Sequence, residues 1–225
     1  MNIKSTVVYL GLMAVSGITF LQAQITQPVP LPVPPAPFVT ISNGQIDRLT
    51  MTTQRALAPI TLPKPIGPAC SITLWVRLNP SPSLDKTGFG GDHPVTLVNF
   101  HPVDRQSNYQ QLVLRIDSGC FQAYELNHGQ WRRLEGNYPH ATPGTWHFLA
   151  YTRSATGGVF YVNGEIAGRT RVNPPVHDWL QVLSLGHFEQ RRLADGILVR
   201  PRLYLEALTN EQIDRLYQQR PPEIR

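Results

Sequence analysis

TPGTWHFLAYTRSATGGVFYVNGEIAG, residues 142–168, is the stretch that decides the fold. Two segments in it, WHFLAYTR (146–153) and GVFYVNGEIAG (158–168), carry strand-like period-two patterning. The turn residues SATGG (154–158) join them. Asn163-Gly164 is a strong signal for a two-residue type I′ hairpin, because both turn positions need positive φ.

The same period runs outward in both directions. Upstream, PFVTIS (37–42) reads as a first strand. CSITLWVRL (70–78) places Ile72, Leu74, Val76 and Leu78 on one face and Thr73, Trp75 and Arg77 on the other. VTLVNF (95–100), QLVLRI (111–116), FQAYEL (121–126) and QWRRLE (130–135) follow, with a turn at DSG (117–119). Downstream come VLSLG (182–186) and GILVRPRLYL (196–205). Pro201 inside the last strand implies an edge or a bulge, since proline cannot donate to a ladder. Short strands at this spacing indicate an all-β fold, a two-sheet antiparallel sandwich. One helix is marked at its start: Thr209, with Gln212 three residues on, makes a capping-box pattern. Ile213, Leu216 and Tyr217 follow at helical spacing, and Pro221-Pro222 ends the helix.

Composition agrees. The 225 residues are 41% hydrophobic and 16% charged, which is globular rather than disordered. The 21 prolines and 17 glycines favour turns over helices. A net charge of +5, spread along the chain, reads first as ordinary solubility, and otherwise as an excess that favours acidic polysaccharides, anionic envelope surfaces or nucleic acid. No basic run is long enough to read as a nucleic-acid tail.

The N-terminus reads as an export signal. Residues 5–21 are uncharged and mostly apolar, and LQA (21–23) ends in a small residue, so cleavage after Ala23 is expected. An uncleaved membrane anchor is the alternative. Residues 24–37 form a Pro-rich linker, expected as an extended spacer. The domain then covers 38–220. Cys70 and Cys120 suit an oxidising compartment. A disulfide between them would close a loop of about 50 residues, worth roughly 4 kcal/mol. Two separate buried thiols is the other reading.

Four segments, in order, resemble the laminin G-like (concanavalin A-like lectin/glucanase) jelly roll: SITLWVRLNP (71–80), residues 142–168, VLSLGHFEQ (182–190) and GILVRPRLYLEALTNEQIDRLYQQ (196–219). Pentraxins share the layout. The resemblance spans residues 38–220 and implies a two-sheet jelly roll with a short C-terminal helix. It also implies extracellular binding of glycans or proteins, sometimes with calcium. Two departures argue against calcium. The Asp-Glu pair common in the family's last strand corresponds to Val199 and Arg200 here. The pentraxin Glu-Gln-Asp run corresponds to Glu189, Gln190 and then Arg191, and a cation opposes a cation. No cofactor is therefore expected.

No catalytic motif stands out. Retaining glycosidases need two carboxylates about 5 Å apart, and no Glu-x-Asp-x-Glu run occurs. Zinc spacings and Gly-x-Ser-x-Gly are absent as well. The candidate ligand-binding residues are Trp131 and Arg133, which alternate outward on QWRRLE, Trp179 in HDWL, and Glu189 and Gln190. With Arg153, Arg191 and Arg192 they suggest a weakly basic surface suited to acidic glycans. The leading expectation is an exported, non-enzymatic binding module for carbohydrate or another envelope or matrix ligand. A protein-interaction domain of an envelope assembly and a divergent polysaccharide-cleaving enzyme are the alternatives.

Overall fold

Strand residues that alternate apolar and polar must bury one face, and the strands solve this by stacking as two sheets. The computed structural model describes residues 32–37, 39–40, 48–52, 58–80, 94–103, 111–127, 129–170, 180–187 and 194–221. Residues 1–23, read above as an export signal, and the Pro-rich stretch up to residue 31 lie outside them.

The strands are β1 (Val39–Thr40), β2 (Arg48–Met51), β3 (Ile60–Ile66), β4 (Cys70–Leu78), β5 (Val95–Pro102), β6 (Gln111–Asp117) and β7 (Cys120–Asn127). After them come β8 (Gln130–Arg133), β9 (Trp146–Ser154), β10 (Gly157–Val162), β11 (Glu165–Arg169), β12 (Leu180–Leu185) and β13 (Gly196–Tyr204), then helix α1 (Asn210–Gln218). A seven-stranded sheet runs β1-β13-β4-β9-β10-β11, with β2 also on β13. A six-stranded sheet runs β3-β12-β5-β6-β7-β8. The pairings are antiparallel, so the fold is a jelly-roll sandwich.

The core lies between the sheets. Ile72, Leu74, Val76 and Leu78 of β4 face Phe100, Leu112, Leu114, Phe121 and Leu183 of the other sheet within one apolar cluster. The deciding stretch folds as read. Val162 pairs with Glu165 across Asn163 (φ 54) and Gly164 (φ 84), the positive pair that a type I′ turn requires. Asp117 and Cys120 close a second such hairpin over Ser118 (φ 53) and Gly119 (φ 74). Pro201 is accommodated by a bulge in an interior strand: the β13–β4 register shifts between Val199 and Arg202, and Arg200 has φ 50.

Two strands escape the sequence pattern, β2 and β3. The latter is ITLPKPI, whose prolines mask a strand that lies at the edge of its sheet, where a missing N–H is tolerated.

The helix covers the outer face of the seven-stranded sheet. Thr209 caps it, its hydroxyl accepting from Gln212 N while the Gln212 side chain accepts from Thr209 N. Ile213 and Leu216 pack on Trp75, Phe148, Ala150, Tyr161, Val199 and Tyr204. Tyr217 stacks on Trp75 at 5.7 Å between ring centroids. Ser71 ties the approach to the helix down, donating to Glu206 O (2.8 Å) and accepting from Leu208 N (2.9 Å). Gln212 donates to the Val33 carbonyl (3.2 Å), so the end of the Pro-rich segment meets the helix. Among the described residues no helix is long and apolar enough to cross a membrane.

The disulfide is not formed: Cys70 and Cys120 are free thiols. Cys70 sits in the core on β4 of one sheet, whereas Cys120 opens β7 of the other and lies 3.6 Å from His140 Nδ1. Each thiol has its own surroundings, and spacing along the chain carries no information about that.

Candidate functional site

The outer face of the six-stranded sheet differs from the face under the helix. Leu112, Leu114 and Ile116 of β6 point into the core, so Gln111, Val113, Arg115 and Asp117 point outward. The same alternation turns out Gln122, Tyr124 and Leu126 of β7. Pairing then builds rows across the face. Ser184, Asn99, Val113, Tyr124 and Arg133 form one row. Thr96, Arg115 and Gln122 form another. Gln111, Leu126 and Trp131 form a third, with His101 beside Val182 on the neighbouring strands.

One half of this face is internally satisfied. Arg115 Nη2 lies 2.6 Å from Asp117 Oδ2, and its guanidinium carbon lies 3.7 Å from the Tyr124 ring centroid. Tyr124 donates to Gln122 Oε1 (2.7 Å), and Gln122 Nε2 donates to Asp117 O (3.1 Å). Trp131 stands edge-on to Tyr124 at 6.4 Å.

The other half is not. Thr96 and Asn99 are each 1% exposed, and Gln111 is also buried. Among the described residues, Thr96 Oγ1, both amide atoms of Asn99, Gln111 Oε1 and Arg115 Nε have no hydrogen-bond partner. Buried polar groups are nearly always paired, because leaving one unpaired costs roughly 1–3 kcal/mol. The cluster of such atoms on one face makes that face the candidate site.

Of the sequence candidates, the structure brings Trp131 and Arg133 to the rim of this face on edge strand β8. Trp131 is 44% exposed, and the Arg133 guanidinium lies 5.5 Å from the Tyr138 ring centroid. Trp179, Glu189 and Gln190 lie outside the described residues, as do Arg191 and Arg192. Arg153 does not join a basic surface. It is buried and donates to Pro68 O (3.1 Å) and Gly67 O (3.3 Å) at the far sheet.

Thr96, Asn99 and Gln111 were missed by sequence reading. The available signal was three polar residues inside otherwise apolar strands, in VTLVNF and at the head of QLVLRI.

On the β6–β7 hairpin, the described carboxylates Asp117 and Glu125 point to opposite sides of the sheet. Asp117 is on the outer face with Arg115. Glu125, from the same hairpin, points into the core and accepts from the Tyr151 hydroxyl. Burial raises the Glu125 carboxyl above its ordinary value. Among the described residues no three His, Cys, Asp or Glu side chains come together as metal ligands would. His147 is packed: it lies edge-on to Phe121 at 4.8 Å, and burial lowers its pKa.

A cleft of about 410 Å³ opens elsewhere, lined by Asn137, Tyr138, Asn163, Glu165, Ile166 and Tyr217. Two of its polar groups are engaged within the fold. Asn163 Oδ1 accepts from Phe148 N (2.9 Å), and the Tyr138 hydroxyl donates to Leu134 O, its pKa pushed by burial up to about 12.

Comparison with known proteins agrees with this architecture. The family model described as the concanavalin A-like lectin/glucanases superfamily matches residues 52–214. Among solved structures, domain 4 of AbnA, a GH43 extracellular arabinanase from Geobacillus stearothermophilus in complex with arabinotriose, matches at TM-score 0.54 and 20% identity, covering 72% of this chain and 75% of that one. A heptameric SAP-like pentraxin from Limulus polyphemus matches at 0.55 and 12%, covering 76% and 81%. The receptor binding domain of a botulinum neurotoxin C/D mosaic serotype matches at 0.57 and 14%, covering 81% of this chain and 45% of that one. At these identities the likeness is one of fold. No curated protein matches the sequence.

Proposed function

The chain belongs to the concanavalin A-like lectin/glucanase superfamily, and from that premise we propose that it is an exported, non-catalytic module that binds carbohydrate on the outer face of its six-stranded sheet. The observation that carries this reading is the set of buried, unpartnered polar atoms on Thr96, Asn99 and Gln111. Trp131 and Tyr124 border it with aromatic surface of the kind on which sugar rings stack. The arabinanase domain with its arabinotriose gives a precedent for saccharide binding on this fold.

The non-catalytic part is supported by the placement of acids. Glycoside hydrolysis takes two carboxyl groups flanking one bond. On the described part of this face Asp117 stands without a second carboxylate and is already paired with Arg115. Export is supported by the apolar segment 5–21 and the small residue at Ala23.

A glycan array run with and without EDTA tests the reading. Binding that survives EDTA is expected, and no binding to any glycan removes it. A second reading, a protein-interaction domain of an envelope assembly, is favoured by one observation: every residue of edge strand β8 is exposed. Recovery of one stoichiometric protein partner from the source envelope, uncompeted by sugar, is its test.

A further inference from the structure

We propose that the outer face of the six-stranded sheet selects an uncharged, hydroxyl-rich ligand, a neutral oligosaccharide in place of a uronate or sulfated one. The proposal rests on the reading that this face binds carbohydrate. It reverses the acidic-glycan preference that the excess of arginine in the sequence suggests.

Charge on this face favours a neutral ligand. Among the described residues, Arg115 is the cation in the row with Thr96, and Asp117 already holds it at 2.6 Å. The pair has no net charge. An anionic ligand would have to displace the Asp117 carboxylate or sit beside it, and like charges in a partly desolvated site oppose binding. Arg133 stands at the rim over Tyr138, where solvent and salt screen it. Arg153, another of the cations the sequence offered, is buried and donates to Pro68 O.

The donor and acceptor pattern on this face also suits hydroxyls. The unpartnered atoms are Thr96 Oγ1, Asn99 Nδ2, Asn99 Oδ1, Gln111 Oε1 and Arg115 Nε. Asn99 Nδ2 and Arg115 Nε donate, Asn99 Oδ1 and Gln111 Oε1 accept, and the Thr96 hydroxyl does both. A carboxylate or sulfate only accepts. It would leave both amide oxygens unpaired and place negative charge against them. A hydroxyl donates and accepts at once, so neighbouring hydroxyls on a sugar ring can satisfy both kinds of atom. Sites that hydrogen-bond a hydroxyl discriminate strongly against ligands that leave their buried polar groups unpaired.

The test titrates the full chain with arabinotriose and cellopentaose as neutral probes, and with oligogalacturonate and a heparin oligosaccharide as anionic ones, at low and high salt. A neutral probe should bind with an affinity that changes by less than about twofold with salt, since no phosphate-like or carboxylate charge is neutralised. Thr96→Val and Asn99→Leu should each weaken it by about tenfold, the worth of one good hydrogen bond. Their thermal midpoints should stay level or rise, which a structural role for these groups would not allow. Preference for an anionic probe, weakened by salt and lost in Arg115→Gln, overturns the inference and leaves the glycan-binding reading intact. Binding of a neutral probe unchanged in both variants overturns the inference by placing the site elsewhere. No binding of any probe overturns the reading and the inference with it.

Discussion

The two sheets present opposite outer faces that are built from the same strand alternation. On the seven-stranded sheet, Trp75, Phe148, Tyr161, Val199 and Tyr204 point outward and are sealed by Ile213 and Leu216 of the helix. On the six-stranded sheet, Thr96, Asn99, Gln111, Arg115 and Gln122 occupy the equivalent outward positions. The first face contributes stability, since each fully buried large apolar side chain is worth about 1.5–3 kcal/mol. The second costs stability, because polar atoms are buried there without partners. The contrast between the faces is what the proposed binding site rests on.

Breaking the helix-covered face should have the largest effect. Trp75→Ala removes the ring that stacks on Tyr217 and touches Phe148 at 5.2 Å. It should destabilise by about 3–5 kcal/mol, the usual cost of emptying an aromatic core site. Urea unfolding gives the value, and glycan affinity of the folded fraction should be unchanged.

Between the faces lies the buried carboxyl of Glu125. Burial raises its folded pKa above the unfolded value, so its contribution is fully present below the unfolded value and is lost as pH rises through the folded one. Stability of the native chain relative to Glu125→Gln should therefore fall across that window and then level off. Paired denaturation midpoints against pH check this, and parallel curves would refute it.

The cap is a smaller matter. Thr209→Ala removes half of the capping box and should cost about 1 kcal/mol. The loss should appear in amide exchange of the first helical turn before it appears in the global midpoint.

Smallest of all, Thr96→Val should leave stability unchanged or raise it by up to about 1 kcal/mol, since the swap removes an unpartnered hydroxyl at nearly constant volume. A clear loss on calorimetry would mean that this hydroxyl serves the fold, and the contrast between the two faces would weaken.

Much of the architecture was legible. Period-two alternation put Ile72, Leu74, Val76 and Leu78 on the core side of β4. Asn163-Gly164 made the predicted hairpin, and Thr209 with Gln212 made the predicted cap. Of the site, only the rim residues Trp131 and Arg133 were named in advance. Thr96 and Asn99 were hidden by their odd spacing: three positions apart, they fall on opposite faces of a regular strand. A register shift between Thr96 and Val98 inserts one extra residue and returns both to the same face.

What the sequence alone determined is local. Side-chain period, turn chemistry and capping depend on residues within a few positions of one another, and their energies favour strands, hairpins and the helix start. Tertiary structure decided what sits across from what. It set the bulge that aligns Thr96 with Asn99, the helix that covers one face, the inward turn of Arg153, and the separate surroundings of Cys70 and Cys120. Those outcomes come from packing residues far apart in the chain, where the gain from one contact depends on all the others.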